Sequence, residues 1–194
     1  MRHNVIRDNT AEFMREVSKD VQIEPKLMEL TGEKFKYKTT NIEDESRLDV
    51  AARNFWSYGT KAFLDIRVFN PLAKSYMNQT LSAAHKSNEN AKKREYNQRV
   101  IEVEHGCFTP LVFTCFGGMA KECSAFYKHL TMLISEKREV PFYQVSSLIR
   151  TKISFSLIKI AIICLRGYRG QKEDNKTFAD TEISTTVDDA KLSN

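Results

Sequence analysis

The chain has 194 residues, 41% hydrophobic and 28% charged, which suits one globular domain with a proper core and is too short for two comfortable ones. Its 30 Lys and Arg against 25 Asp and Glu give +5, but residues 172–194 carry three Lys and six Asp or Glu, so the remainder stands near +8 and suits a negatively charged partner. Cys107, Cys115, Cys123 and Cys164 lack the paired short spacing of a zinc site or a small secreted frame, and they are expected to be reduced. The longest apolar stretch, 153–165, contains Ser154, Ser156 and Lys159 and is too short to span a bilayer. With no charged and apolar leader at the start, a soluble intracellular protein without a membrane partner is expected.

Ile6, Phe13, Met14 and Val17 recur at helical spacing, with Thr10 and Ala11 on the same side, and predict an amphipathic helix over 3–17. Residues 21–25 alternate as a short strand stopped by Pro25. A lysine-rich connection containing Gly32 and the acidic run Glu43-Asp44-Glu45 leads to a second strand over 47–52. Turn residues and the only Trp occupy 54–60, and a third strand, 62–68, is closed by Asn70-Pro71. The polar stretch 80–98 reads as a solvent-facing helix, broken or loosened at Ser87-Asn88. A fourth strand follows over 108–114, placing Cys115 at its apolar end, and Pro110 marks it as an edge or an irregular entry. After the Gly117-Gly118 turn come helices over 121–137 and 142–166, the second apolar at Ile149, Ile153, Leu157, Ile160 and Cys164. Beyond Gly170 apolar content is low and disorder is expected. This order predicts an α/β sheet with helices on its faces.

Chemistry concentrates on Asp49 and, sixteen positions later, Asp65-Ile66-Arg67. Side chains on a strand alternate with period two, so Phe63, Asp65 and Arg67 share one face and Leu64, Ile66 and Val68 the other. A carboxylate beside a cation on a buried strand, with a second acid from the preceding strand, is what metal-assisted phosphodiester hydrolysis uses. The competing reading is an ordinary ion pair at a sheet edge.

Arg47-Leu48-Asp49, the run Phe63 to Pro71, Glu102 to Gly106, Phe108 to Phe113 and the Gly117-Gly118 turn together resemble the C-terminal restriction-like endonuclease domain of non-LTR retrotransposon (reverse transcriptase-like) polyproteins. His3-Asn4, Arg7-Asp8, Glu24-Pro25, Leu148-Ile149-Arg150 and Arg166-Gly167 fit the same pattern, so the likeness runs over about residues 2 to 169. The resemblance implies a PD-(D/E)XK fold over 1–169, a central mixed sheet flanked by helices with extra C-terminal helices, and an acidic disordered tail over 170–194. It further implies Mg²⁺-dependent nicking of duplex DNA in the nucleus, element RNA as a partner of the parent polyprotein, and Asp49 and Asp65 as metal ligands.

By the same resemblance, Arg67 stands where the fold has its lysine and Leu48 where many members have proline. Arginine stays charged and clamps or polarises, whereas a partly buried lysine can lose its proton and activate water. A basic group from the next helix is the expected substitute. Lys92-Lys93-Arg94-Glu95-Tyr96 resembles the lysine/tyrosine helix of the family, with Lys93 and Tyr96 the first choices and a solvated helix face the alternative. Glu24 is a candidate third acid or a solvent-facing strand end; Glu104-His105 a metal-linked pair or a structural turn; His3 a cap or a partner of Asp8. Trp56 and Tyr58 are stacking groups for DNA or core plugs. Two other functions remain open: a catalytically inactive DNA-binding remnant or host-adopted fragment, and a protein-interaction module.

Overall fold

The run Lys-Ala-Phe-Leu-Asp-Ile-Arg-Val-Phe forms the longest strand of a four-stranded mixed sheet and is central to it. The computed structural model describes residues 3–28 and 46–173, with side chains up to 163. In chain order it has helix α1 (Asn4–Val17), strands β1 (Lys19–Ile23), β2 (Val50–Arg53) and β3 (Lys61–Phe69), helix α2 (Leu81–Glu102), strand β4 (Cys107–Thr114) and helices α3 (Lys121–Arg138) and α4 (Phe142–Glu173). The sheet order is β1-β2-β3-β4, antiparallel up to β3 and parallel between β3 and β4. A parallel pair needs a crossover too long for a hairpin, and α2 supplies it. The observed class is the expected α/β one. The body of the fold runs to Ala161; a second unit begins at Ile162, of which the end of α4 is described.

Pro110 sits on β4, which pairs only with β3 among the named strands, the edge position where a proline is tolerated. On one sheet face Ala51, Phe63 and Phe108 pack with Leu27, Leu48, Val100 and the ring of Tyr96. Phe13, Phe113, Phe126, Leu130 and Ile149 are also fully buried. Val145, Ile149, Ile153, Leu157 and Ile160 form the buried face of α4, as their spacing predicts.

Four expectations need correction. Strand β2 starts at Val50 rather than at Arg47. The Asp49 side chain, not a backbone carbonyl, takes the Ile66 N–H at 2.5 Å, and Arg47 makes only an isolated bridge with Lys26. The helix expected to loosen at Ser87-Asn88 is continuous over 22 residues. Asn88 is buried there, donating to the Ala84 carbonyl at 2.8 Å and accepting from the Tyr76 hydroxyl at 3.2 Å. Nor is this helix wholly solvent-facing, since Ala84, Asn88, Glu89 and Val100 are buried. Cys115 lies in the turn after β4, and Cys123 is the buried cysteine. The Gly32 connection, the Glu43–Glu45 run and the tail from 174 lie outside the described residues, as does the Cys164 side chain.

Helix α2 turns into β4 at Gly106, whose N–H donates to the Val100 carbonyl at 3.0 Å. A Cβ there would lie 2.6 Å from the Lys61 carbonyl oxygen and 2.9 Å from the Phe63 ring. Gly106→Ala should therefore cost about 1–3 kcal/mol, as overpacking does. A urea midpoint equal to the parent's would show that this turn is not the tight approach described. Among the described residues no helix is long and apolar enough to cross a membrane.

Candidate active site

Asp65 lies near the middle of β3, 6% exposed, with Pro110 as its partner on β4. Lys92 reaches it from α2, with Nζ 3.2 Å from Oδ1 and 3.1 Å from Oδ2. Oδ2 is buried and, beyond this ion-pair contact, accepts no hydrogen bond. Burial pushes the carboxyl pKa up to about 6; Lys92 pulls it down and the charge of Asp49 pushes it further up. The same ammonium contacts Glu95 at 3.5 Å and sits 5.2 Å above the centroid of the Tyr96 ring.

Asp49 faces this group from one step beyond the β2–β3 ladder, in which Val50 opposes Leu64. Its backbone N–H donates to the Leu64 carbonyl at 3.0 Å, which anchors it at the strand entrance. Oδ2 accepts the Ile66 N–H, and His3 Nε2 lies 3.0 Å from Oδ1. That hydrogen bond to Asp49 raises the His3 pKa above its ordinary value against the opposing effect of burial.

The structure brings Asp49, Asp65, Lys92 and Tyr96 together and separates the others. Arg67 is half-buried on the Asp65 face of β3, and its side chain makes no ion pair or hydrogen bond among the described residues. Lys93 is turned to Glu122 of α3 at 2.5 Å. Arg94 is exposed, its Nε donating to the Asn90 carbonyl at 3.4 Å. Tyr96 packs on Phe108, ring centroids 5.8 Å apart, and burial followed by the Glu95 contact holds its hydroxyl well above the usual phenol range. Glu24 is engaged by Arg7 and lies 3.9 Å from Arg47, so its carboxylate already has two cationic neighbours. Glu104 accepts the Met28 N–H at 2.6 Å and His105 takes a left-handed turn conformation at φ 50°, the structural reading of that pair. Trp56 stacks on His129 at 5.0 Å and donates to Thr109 Oγ1 at 3.1 Å, whereas Tyr58 is 95% exposed.

The sequence offers His3 only as a cap or a partner of Asp8, and Lys92 only as one of several candidate cations, behind Lys93. His3 pairs with Asp49 rather than with Asp8, which is held by Arg7 at 2.9 Å; no local pattern links His3 to a residue 46 positions away. Lys92, and not Lys93, reaches Asp65. The series Ala84, Asn88, Lys92, Tyr96, Val100, spaced i, i+4, runs along the sheet side of α2 and was the available signal.

Among the described residues no group of three or more His, Cys, Asp or Glu side chains could hold a metal ion. A structural zinc or calcium site, which takes four or more protein donors, does not fit here. Magnesium keeps several waters and takes one or two carboxylates, and the buried Oδ2 of Asp65, which accepts no hydrogen bond, beside Asp49 fits that ligand set. At Asp49 an ion has to share or displace the His3 contact, because Oδ2 is already taken by the Ile66 amide. Comparison with known protein families and with curated proteins returns no match to this chain.

Proposed function

We propose that this chain is a Mg²⁺-dependent DNA endonuclease domain with a PD-(D/E)XK core, of the kind that ends non-LTR retrotransposon polyproteins. The observation that supports this most is the buried Asp65 carboxylate with one oxygen free of hydrogen bonds, set between a second acid and a lysine from the next helix. Asp49 and Asp65 would hold the ion, which when bound supplies Lewis acidity toward a phosphoryl oxygen and lowers the pKa of a water. Lys92 keeps Asp65 ionised near neutral pH and stands in for the lysine that Arg67 replaces on the strand. Arg67, unpaired on the same face, is free to meet a phosphate.

One observation favours a second reading, a DNA-binding remnant that no longer cuts: both oxygens of Asp49 already have protein partners. Nicking of supercoiled plasmid in Mg²⁺, with Asp65→Asn alongside, separates the two. A thermal melt with added Mg²⁺ reads the site without catalysis. The parent should gain stability by about 2.7 kcal/mol at a hundred times Kd, and Asp65→Asn should gain almost none. A parent melt that ignores Mg²⁺ and Mn²⁺ would remove the metal site.

A further inference from the structure

The lysine cluster that the sequence offers to a DNA backbone is largely spent inside the fold, with Lys92 on Asp65 and Lys93 on Glu122. Positive charge without an ion pair also lines a cleft of about 1130 Å³ between α2 and α3. Lys86 on one wall and Lys121 and Lys128 on the other are exposed and have no ion pair among the described residues. Ser82, Asn90 and Ser124 add neutral hydrogen-bonding groups to the same lining.

The two acids in this cleft are already occupied. Glu89 is buried and its Oε1 accepts the Glu122 N–H at 2.9 Å, capping the positive end of α3 with a carboxylate from α2. Glu122 is held by Lys93 at 2.5 Å. The first turn of α3 is thus not itself the anion site, and the charge left over in the cleft is the three lysines.

Their spacing suits a polymer. Lys121 and Lys128 are two turns apart on one face of α3, about 10 Å along its axis. Opposite, Ser82, Lys86 and Asn90 follow one another at i, i+4 and i+8 along α2, about 12 Å in all. Phosphates of one strand recur every ~3.4 Å along a duplex, so either wall spans several of them. Small-ligand pockets converge a few polar groups at one spot; here the cations are spread along two walls of mixed polar and apolar lining.

We propose that the α2–α3 cleft binds the phosphate backbone of duplex DNA through Lys86, Lys121 and Lys128. This rests on the endonuclease reading for its choice of duplex DNA over an acidic polypeptide.

The test is the binding of a fluorescein-labelled 20-base-pair duplex, followed by anisotropy in EDTA over a series of KCl concentrations. Substituting Lys86→Gln, Lys121→Gln and Lys128→Gln together should flatten log K against log salt by about two to three units, at about 0.9 per phosphate contact. The arginine versions of the three should restore the slope. A control with Lys19→Gln, Lys26→Gln and Lys74→Gln, all exposed, should keep most of it. All six positions are on the surface, and matching melts of the variants check that folding is unchanged. An unchanged slope in the cleft variant, an equal loss in the control, or poly-glutamate competing as well as DNA would overturn the proposal. Plasmid nicking is read separately. A parent that binds through the cleft and never nicks overturns only the endonuclease reading, and a parent that nicks with the slope unchanged overturns only the cleft.

Discussion

Asp65→Asn should abolish Mg²⁺-dependent nicking and, in the same preparation without metal, raise the melting temperature at pH 8. The loss follows from removing one of two carboxylates able to hold the ion. The gain follows from the cost of keeping that carboxylate charged where it is. Its pKa in the folded protein is about 6, against an ordinary value of 3.8, with burial as the main cause. A group whose pKa is raised on folding contributes stability that is fully present below the unfolded value and is lost as pH climbs through the folded one. Wild-type stability from this group is therefore present below about pH 4 and gone above about pH 6. A shift of this size is worth on the order of 3 kcal/mol, and part of it is given back when Lys92 loses a partner. A net rise of several degrees at pH 8, vanishing by pH 4, is the expected result, at about 2–4 °C per kcal/mol for a chain of this size. Melts of parent and variant across that range check it; a variant less stable at pH 8 than the parent would mean that Asp65 is a stabilising ion-pair partner and not a strained site acid.

Lys92→Met should lower nicking by about 10²-fold or more, the scale on which a charge-stabilising donor counts in a transition state. Arg67→Ala should cost less, and Lys93→Met should leave the rate almost unchanged, since Lys93 faces Glu122. Losing Lys92 also removes the charge that pulls the Asp65 pKa down, so residual activity should appear only at higher pH than in the parent. Lys92→Arg keeps the charge and should hold the parent's pH profile better than its rate. These rates and profiles come from plasmid nicking between pH 6 and 9. If Arg67→Ala is the deepest loss and Lys92→Met nicks like the parent, the strand arginine is the working cation and the helix lysine a structural partner.

Much of this architecture is a local property of the chain. The period-two run around Asp65 specifies β3, the 3.6-residue spacing of Ile6, Phe13 and Met14 specifies α1, and Ile149 to Ile160 specify the buried face of α4. The proline of β4 already marked an edge. The closeness of Asp49 and Asp65 was legible from the short connection between their two runs, although Asp49 lies just before β2 rather than on it. Other features had little or no signal in hydrophobic periodicity. Helix α2 covers the sheet with small and polar groups, Ala84 and Asn88 among them, so its buried side carries no apolar stripe and reads as solvated. Which of three consecutive cations meets Asp65 depends on the rotation of that helix over β3, across 27 residues of sequence. The start of β2 depends on a side chain, Asp49, displacing a carbonyl as the acceptor of a ladder amide. The contact between His3 and Asp49 depends on where α1 enters the sheet. Hydrophobic periodicity reports which face of an element is buried; it carries no information about which polar groups the packing of two elements brings together, and those contacts are decided only when the tertiary structure forms.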